Sequence, residues 1–509
     1  MKRLFYTLKW SWLVYDILSI IACYALLLSV LPTVHDEPVV KYLPALAVYA
    51  VTWITVGYLA GHYRTDDARR SYTRRTRREF VIFLISVGVD LLPWYLLVEN
   101  RSYRLLLLWT AMAWLTSFLV TSVRYAYLYA SDPEYDLRPV TPRGPCPLVR
   151  PARPASPDAQ DDLRRRITST CGEKALAWIG GRCDLASDTT IAIDNDIPEK
   201  AAELPRYRYD AVICLHPLSQ MRGVNRLLSF VNEALPDDGA VICRLKTKST
   251  RKREILTAWP VPLNWVIYTF QYAVHRVLPK LFLTKRLYFD ITKGRERMFN
   301  LTEALGRLCY CGFDIMAVSR PRIDGFVWIA ARRLKEPPER KKLRYGPLIA
   351  LRRRGLGGKP IRVYKFRTMY PYSEFLQESI YRVFGLQPGG KFAHDIRVNG
   401  TGRFMRRYWI DELPMLFNLL KGDLKLVGVR PLSDQYLSLY EPDLRALRSK
   451  FKPGLLPPFY ADMPKTLPEI QESERKYLTL CERQGTARTD CVYLWRIARN
   501  ILFHKARSH

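Results

Sequence analysis

Residues 409–431 read WIDELPMLFNLLKGDLKLVGVRP. Within them, DELPMLFNLLKG predicts a helix that starts near Asp411. Leu413, Leu416, Phe417 and Leu420 fall on one apolar face, and Gly422 ends it. The acid pair Asp411-Glu412 has two readings. At a helix N-terminus, it caps the helix and complements its dipole. Flanked by Arg406, Arg407, Lys421, Lys425 and Arg430, it is instead the reacting centre of a site built for phosphates.

Upstream, YGPLIALRRRGLGGKPIRVYKFRTM (345–369) is a basic, Gly-rich turn running into a strand, IRVYKF. Arg352, Arg353, Arg354, Lys359, Arg362, Lys365 and Arg367 recur there within sixteen positions, as a solvated face or as a phosphate-gathering surface. Asp395 and Arg397 lie in a loop, and TGRFMRRYW (401–409) is a short helix or turn. The tail 469–509 reads as two amphipathic helices. Its basic end, with Trp495, Ile501, Leu502 and Phe503, suits either a membrane surface or packing on the preceding module.

The whole chain of 509 residues carries 80 Lys+Arg against 48 Asp+Glu, a formal net charge of +32. That excess calls for a polyanionic partner: nucleic acid, anionic lipid head groups or phosphorylated substrates. The 31 Tyr and 12 Trp favour a membrane interface, and no nucleic acid is expected. The 10 Cys show no metal-ligand spacing and read as reduced structural thiols in a cytoplasmic setting.

Four apolar stretches, 10–31, 43–62, 80–98 and 105–127, each approach the ~20 residues that a helix needs to cross a bilayer. The connecting segment 63–80 holds seven arginines, which places it in the cytoplasm. Both termini are then expected inside, with everything after residue 130 cytoplasmic. The expected location is the inner membrane of a bacterium. Asp16 and Asp90 fall within spans, where a carboxylate marks function or bonds a neighbouring helix.

A Pro-rich tether, 133–160, separates this bundle (1–132) from an α/β region, 161–335. Its strands and helices alternate: 209–219, 223–235, 236–247, 301–318 and 325–333. The order resembles the second half of a methyltransferase-like Rossmann fold. A nucleotide-binding loop should follow the first strand, and the candidate 176–187 holds only Gly180 and Gly181 with no leading acid. A worn, non-catalytic scaffold is the reading. Residues 259–289 form an apolar, then basic, insertion interrupted by Pro279. It is read as a membrane-inserting element, with a helix covering the sheet as the alternative.

The C-terminal motifs resemble the bacterial sugar transferase family, the polyprenyl-phosphate phosphoglycosyl transferases. They are Lys365-Phe366-Arg367-Thr368-Met369, Asp395-x-Arg397, Gly402-Arg403-Phe404-Met405-Arg406, Asp411-Glu412-Leu413-Pro414, Asn418, Lys421-Gly422-Asp423, Val427-Gly428-Val429-Arg430-Pro431 and Lys452-Pro453-Gly454. The resemblance covers about 340–460. It implies a multidomain membrane protein with an N-terminal four-helix transmembrane bundle, a Rossmann-like middle domain and a compact α/β catalytic domain of monotopic type, 336–509. It further implies a UDP-sugar donor and an undecaprenyl phosphate acceptor among membrane lipids, and it allows a homo-oligomer.

In that picture Asp411 is the nucleophile that forms a phosphosugar–aspartyl ester, and Glu412 assists the lipid phosphate. Lys365, Arg367, Arg397, Arg406 and Arg430 bind phosphate. Mg²⁺ is the cofactor, with Asp411 and Asp423 as ligand candidates. The sequence departs from the family pattern at LLPPFYADMPKT (455–466), at Val429, and in the insertion 259–289, which does not directly precede the basic turn. Two other functions compete: a SAM-dependent methyltransferase, and a non-enzymatic scaffold for polysaccharide assembly.

Overall fold

The computed structural model describes residues 10–30, 43–63, 72–97, 103–130, 148–149, 151–194, 197–280, 284–337, 343, 345–376, 386–387, 391–392 and 396–503. The chain divides into two compact units, Met1–Tyr135 and Asp136–His509.

The first unit holds four helices: α1 (Trp10–Val30), α2 (Leu43–Leu59), α3 (Tyr72–Leu97) and α4 (Tyr103–Ala130). Helix α3 begins eight residues before the expected span. Half of the arginine-rich connection is therefore helical, steadied by an Arg75–Glu79 pair one turn apart. Two stretches, Arg75–Leu96 and Leu106–Leu128, are long and apolar enough to cross a membrane, while Trp12–Leu27 and Leu46–Leu59 are apolar but shorter.

The polarity of this unit is inverted relative to a water-soluble bundle. Leu18, Ile21, Leu26, Leu84, Val89, Leu92 and Leu119 are exposed, whereas Asp16, His62, Glu79, Asp90, Ser117 and Thr121 are buried. Asp16 accepts from Trp53 Nε1 at 3.1 Å, Tyr63 OH at 3.0 Å and Ser117 Oγ at 3.3 Å, the helix-to-helix bonding role.

The second unit opens with helices α5 (Pro157–Cys171) and α6 (Glu173–Gly180). A five-stranded sheet follows, ordered β1 (Thr190–Ile193), β2 (Ala211–Cys214), β3 (Ala240–Leu245), β5 (Val327–Arg333), β4 (Phe313–Val318). The first three strands run parallel and the last two pair antiparallel. Alternation sends Ile213 and Ile242 toward α5 and α6, and Val212, Cys214, Val241 and Cys243 toward α7 (Val224–Ala234) and α11 (Leu301–Tyr310).

Gly180 and Gly181 end α6, with the Gly181 N–H donating to the Ala177 carbonyl at 3.3 Å. They precede β1 rather than follow it. The expected nucleotide loop is therefore a helix terminus.

Between β3 and α11 stand α8 (Lys248–Ala258), α9 (Leu263–Tyr272) and α10 (Lys285–Thr292). Pro279 sits in a single tight turn, Leu278–Lys280, that ends the run from α9. On α9 and its approach, Trp259, Val261, Trp265, Val266 and Phe270 are exposed. Lys252 lies 4.7 Å from the centre of the Trp265 ring, and Lys248 4.5 Å from that of Tyr272.

The C-terminal part begins with a hairpin, β6 (Leu348–Arg354) and β7 (Pro360–Phe366), in the register Ile349↔Lys365 and Leu351↔Val363. A helix, Gly400–Arg407, leads to a tight-wound turn, Ile410–Met415, and a short helix, Leu416–Leu420. A parallel pair, Lys425–Val427 with Gly454–Leu456, is covered by the helices Leu467–Gln484 and Thr486–Phe503. Their inner faces bury Tyr477, Leu478, Tyr493 and Ile497, while Trp495, Leu502 and Phe503 remain exposed. The packing reading of the tail holds on the inner face.

Candidate active site

The strand β7 sets the geometry. By period two, Ile361, Val363 and Lys365 share a face, and Val363 packs with Met415 and Leu424. Lys365 is thereby aimed at the turn that carries the acid pair. Asn418, fully buried, fixes the distance. Its Oδ1 accepts from Tyr364 N at 3.0 Å, and its Nδ2 donates to Arg362 O at 2.7 Å, so side chain and strand edge satisfy each other.

The turn itself departs from the expected α-helix. Pro414 lies inside Ile410–Met415, and the segment winds as a 3₁₀-helix before the α-helix at Leu416. Trp409 precedes it in the left-handed region at φ 54°, a conformation that costs a bulky L-residue about 1–2 kcal/mol. Gly422, at φ 77°, closes the helix as expected. Trp409 occupies the N-cap position with no side-chain capping bond.

Asp411 is 8% exposed, and its Oδ1 has no hydrogen-bond partner among the described residues. Glu412 pairs with Lys365, Oε1 to Nζ 2.6 Å. Burial, then the neighbouring Glu412 charge, pushes the Asp411 carboxyl up, and Lys365 and Arg406 pull it back. Burial also pushes the Lys365 ammonium down, partly offset by Glu412. Arg406 donates through Nε to Thr368 Oγ1 at 3.0 Å. Arg430 bears electrostatically on both Lys365 and Arg353.

The structure thus gathers Asp411, Glu412, Lys365, Arg406 and Arg430. It adds Arg353, which shares the Lys365 face of the hairpin. Only the hairpin register reveals that parity, since the sequence offers three consecutive arginines, Arg352 to Arg354.

Other candidates stand apart. Arg367 donates to Gly346 O at 3.0 Å and lies over the Tyr345 ring at 4.8 Å. Arg397 is buried, and its carbonyl accepts from Tyr370 N at 2.8 Å. Asp423 accepts from Asn418 Nδ2 at 3.2 Å and lies 3.7 Å from Lys421. Pro279 belongs to the insertion, and Asp395 falls outside the described residues.

Among the described residues no group of three or more His, Cys, Asp or Glu side chains is placed to share a metal ion. The orphaned Asp411 Oδ1 beside Glu412 fits Mg²⁺ of the kind held by one or two carboxylates and completed by substrate phosphates.

Around the acid pair the surface is apolar. Leu413, Leu416, Phe417 and Leu420, read as one apolar face, are exposed, Leu420 at 86%. Phe404 and Tyr408, also exposed, pack with their rings tilted and centres 4.8 Å apart. The buried side of the turn is Pro414, Met415 and Asn418 instead. Buried acid, clustered cations and a greasy rim meet at one place.

Comparison with known proteins agrees. Residues 341–499 match the family model described as bacterial sugar transferase. The chain is similar to an uncharacterized sugar transferase, EpsL, of Bacillus subtilis, 37% identical over 162 residues, which are 31% of this chain and 64% of that protein. It is similar to UDP-glucose:undecaprenyl-phosphate glucose-1-phosphate transferases of Caulobacter vibrioides and Klebsiella pneumoniae. The first is 42% identical over 106 residues (20% of this chain, 36% of that protein), the second 39% over 115 residues (22% of each). The chain spans less than two thirds of the length of each of these relatives. The family match lies in the C-terminal region of the chain.

Proposed function

We propose that the chain, through the sugar transferase domain at 341–499, moves a sugar-1-phosphate from a UDP-sugar to undecaprenyl phosphate at the cytoplasmic face of a bacterial inner membrane. The observation that carries this reading is the buried Asp411, with one unpartnered oxygen, set among Lys365, Arg353, Arg406 and Arg430 and rimmed by exposed Leu413, Leu416, Phe417 and Leu420. A soluble diphosphate and a lipid phosphate need those two surroundings side by side. The four N-terminal helices are read as four spans. The middle sheet is read as a worn, methyltransferase-like half that binds no SAM. The insertion 259–289, with Trp259, Val261, Trp265, Val266 and Phe270 exposed, is read as a second membrane contact.

Chemically, an Asp411 oxygen attacks the phosphorus that bears the sugar. The bond from that phosphorus to the bridging oxygen breaks, and UMP leaves with the electron pair. A phosphosugar–aspartyl ester remains. An oxygen of the lipid phosphate then attacks the same phosphorus, and the Asp411 carboxylate departs. The product is a sugar on undecaprenyl diphosphate. Glu412 takes the acceptor's proton when the lipid phosphate arrives protonated, and Lys365 holds Glu412 in reach.

Three anions converge in these steps, and the surrounding guanidinium and ammonium groups offset their repulsion. Bound by Asp411 and Glu412, Mg²⁺ would neutralise the donor diphosphate. A product of this kind primes exopolysaccharide, capsule or O-antigen synthesis.

The test is UMP release by the full chain in membranes containing undecaprenyl phosphate, screened across UDP-sugars. One of them is expected to release UMP only when the chain is present. No release from any UDP-sugar defeats the reading.

The acid limb of kcat/KM provides a sharper check. Asp411 must be ionised to attack, so the rate rises with pH through its raised pKa. Glu412→Gln removes the second-largest upward push, and the limb is expected at lower pH than in the wild type. Lys365→Met removes the largest downward pull, and its limb is expected at higher pH.

A further inference from the structure

Among the described residues the middle sheet region holds no reactive constellation, yet it meets the catalytic module through α7 and α11. We propose that α11 is a positioning element for the donor diphosphate. It holds the segments 368–376 and 396–399, and through them Arg406 of the acid-pair cluster, whose Nε donates to Thr368 Oγ1 at 3.0 Å. The proposal rests on the transferase reading above.

Two lines of contact carry it. Thr302, in the first turn of α11, donates through Oγ1 to Ile396 O at 3.0 Å, next to Arg397. The chain there pairs with the end of β7: Tyr370 N donates to Arg397 O at 2.8 Å, and Asn399 N to Thr368 O at 3.1 Å.

The second line passes through Tyr372, which is buried. Its hydroxyl accepts from Asn225 Nδ2 of α7 at 2.8 Å. The Arg307 guanidinium lies 4.3 Å from the centre of its ring. Tyr372 packs tilted against Tyr345, ring centres 4.8 Å apart, and Arg367 lies 4.8 Å from the centre of that same Tyr345 ring. Phe375 and Leu376 continue into the core between the sheet, α7 and α11.

The approach is too close for any residue but glycine at one point. A Cβ on Gly306 would lie 2.3 Å from the Tyr372 carbonyl oxygen. Glu303 fixes the helix by bonding Arg307 at 2.9 Å and Arg276 at 3.2 Å. Arg397 follows directly on the residue that α11 bonds, and Arg406 bonds Thr368, whose carbonyl accepts from Asn399 N of the same segment. Neither Thr302 nor Gly306 needs to touch substrate to set where those guanidinium groups sit.

Two variants of the full chain in membranes test this. Gly306→Ala displaces the Tyr372 segment, and Thr302→Val removes the bond to Ile396 without changing shape. Both are expected to raise the KM for the UDP-sugar about tenfold or more, since small misplacements far from the chemistry cost up to ~10²-fold, with the KM for undecaprenyl phosphate unchanged. Hydrogen exchange is expected to quicken at 368–376 and 396–399 and to stay as in the wild type in β1 to β3.

An unchanged donor KM in both variants overturns the proposal. So does an equal loss toward both substrates accompanied by a lowered unfolding midpoint, which a merely structural helix would give. A wild type that releases no UMP at all defeats the transferase reading instead, and is told apart by that control.

Discussion

Asp411→Asn is expected to lower UMP release by about six orders of magnitude, the scale seen when a covalent nucleophile is removed. An amide oxygen keeps the shape of the carboxylate but cannot form the ester. The same change is expected to stabilise the fold at neutral pH. The Asp411 carboxyl is held above its ordinary value by burial and by Glu412. A raised carboxyl pKa means stability present at low pH and lost as pH rises through the folded value, because the ionised form is the strained one. The neutral amide relieves that cost. Loss of turnover together with a higher unfolding midpoint separates a missing nucleophile from a damaged fold. A loss that follows a lower midpoint would point to damage.

The second large effect concerns stability. Arg448 and Glu474 form a buried ion pair between the helices Pro442–Ser449 and Leu467–Gln484, and Arg448 Nη2 donates to the carbonyl of Arg430 at 2.5 Å. Burial pushes the Glu474 carboxyl up, and Arg448 is the main influence that holds it down. Arg448→Met leaves a carboxylate stranded, and breaking a buried pair from one side costs about 3–5 kcal/mol.

The double variant Arg448→Met with Glu474→Leu is expected to recover most of that loss, because two apolar groups need no counter-charge. The single variant should also regain stability as pH falls, since protonation discharges Glu474. Thermal unfolding of the full chain in detergent reads all three. A double variant as unstable as the single one would show that the helices depend on the pair for more than charge balance.

Much of this was legible in residue order. The short continuous apolar runs within 209–219, 236–247 and 325–333 mark strands that form as read, because both faces of the sheet are buried. The crowding of Lys365, Arg406 and Arg430 about an acid pair is visible in one dimension and survives in three.

What was not legible depends on contacts between distant segments. Arg353 joins the site through strand parity, which only the pairing of β6 with β7 assigns. The apolar face of Leu413, Leu416, Phe417 and Leu420 obeys helical spacing, but spacing does not say whether protein or lipid covers it. The seating of Leu376 in the core of the middle sheet has no local signal, because its partners lie as far back as β2 and α7.

The most direct test is to mix the full chain with a UDP-sugar labelled with ³²P at the phosphorus bearing the sugar, leave out undecaprenyl phosphate, and look for label on the protein. Label on Asp411, discharged when undecaprenyl phosphate is added and absent from Asp411→Asn, is the expected result. Transfer to the lipid that proceeds with no labelled protein at any time would contradict the two-step chemistry assigned to this carboxylate.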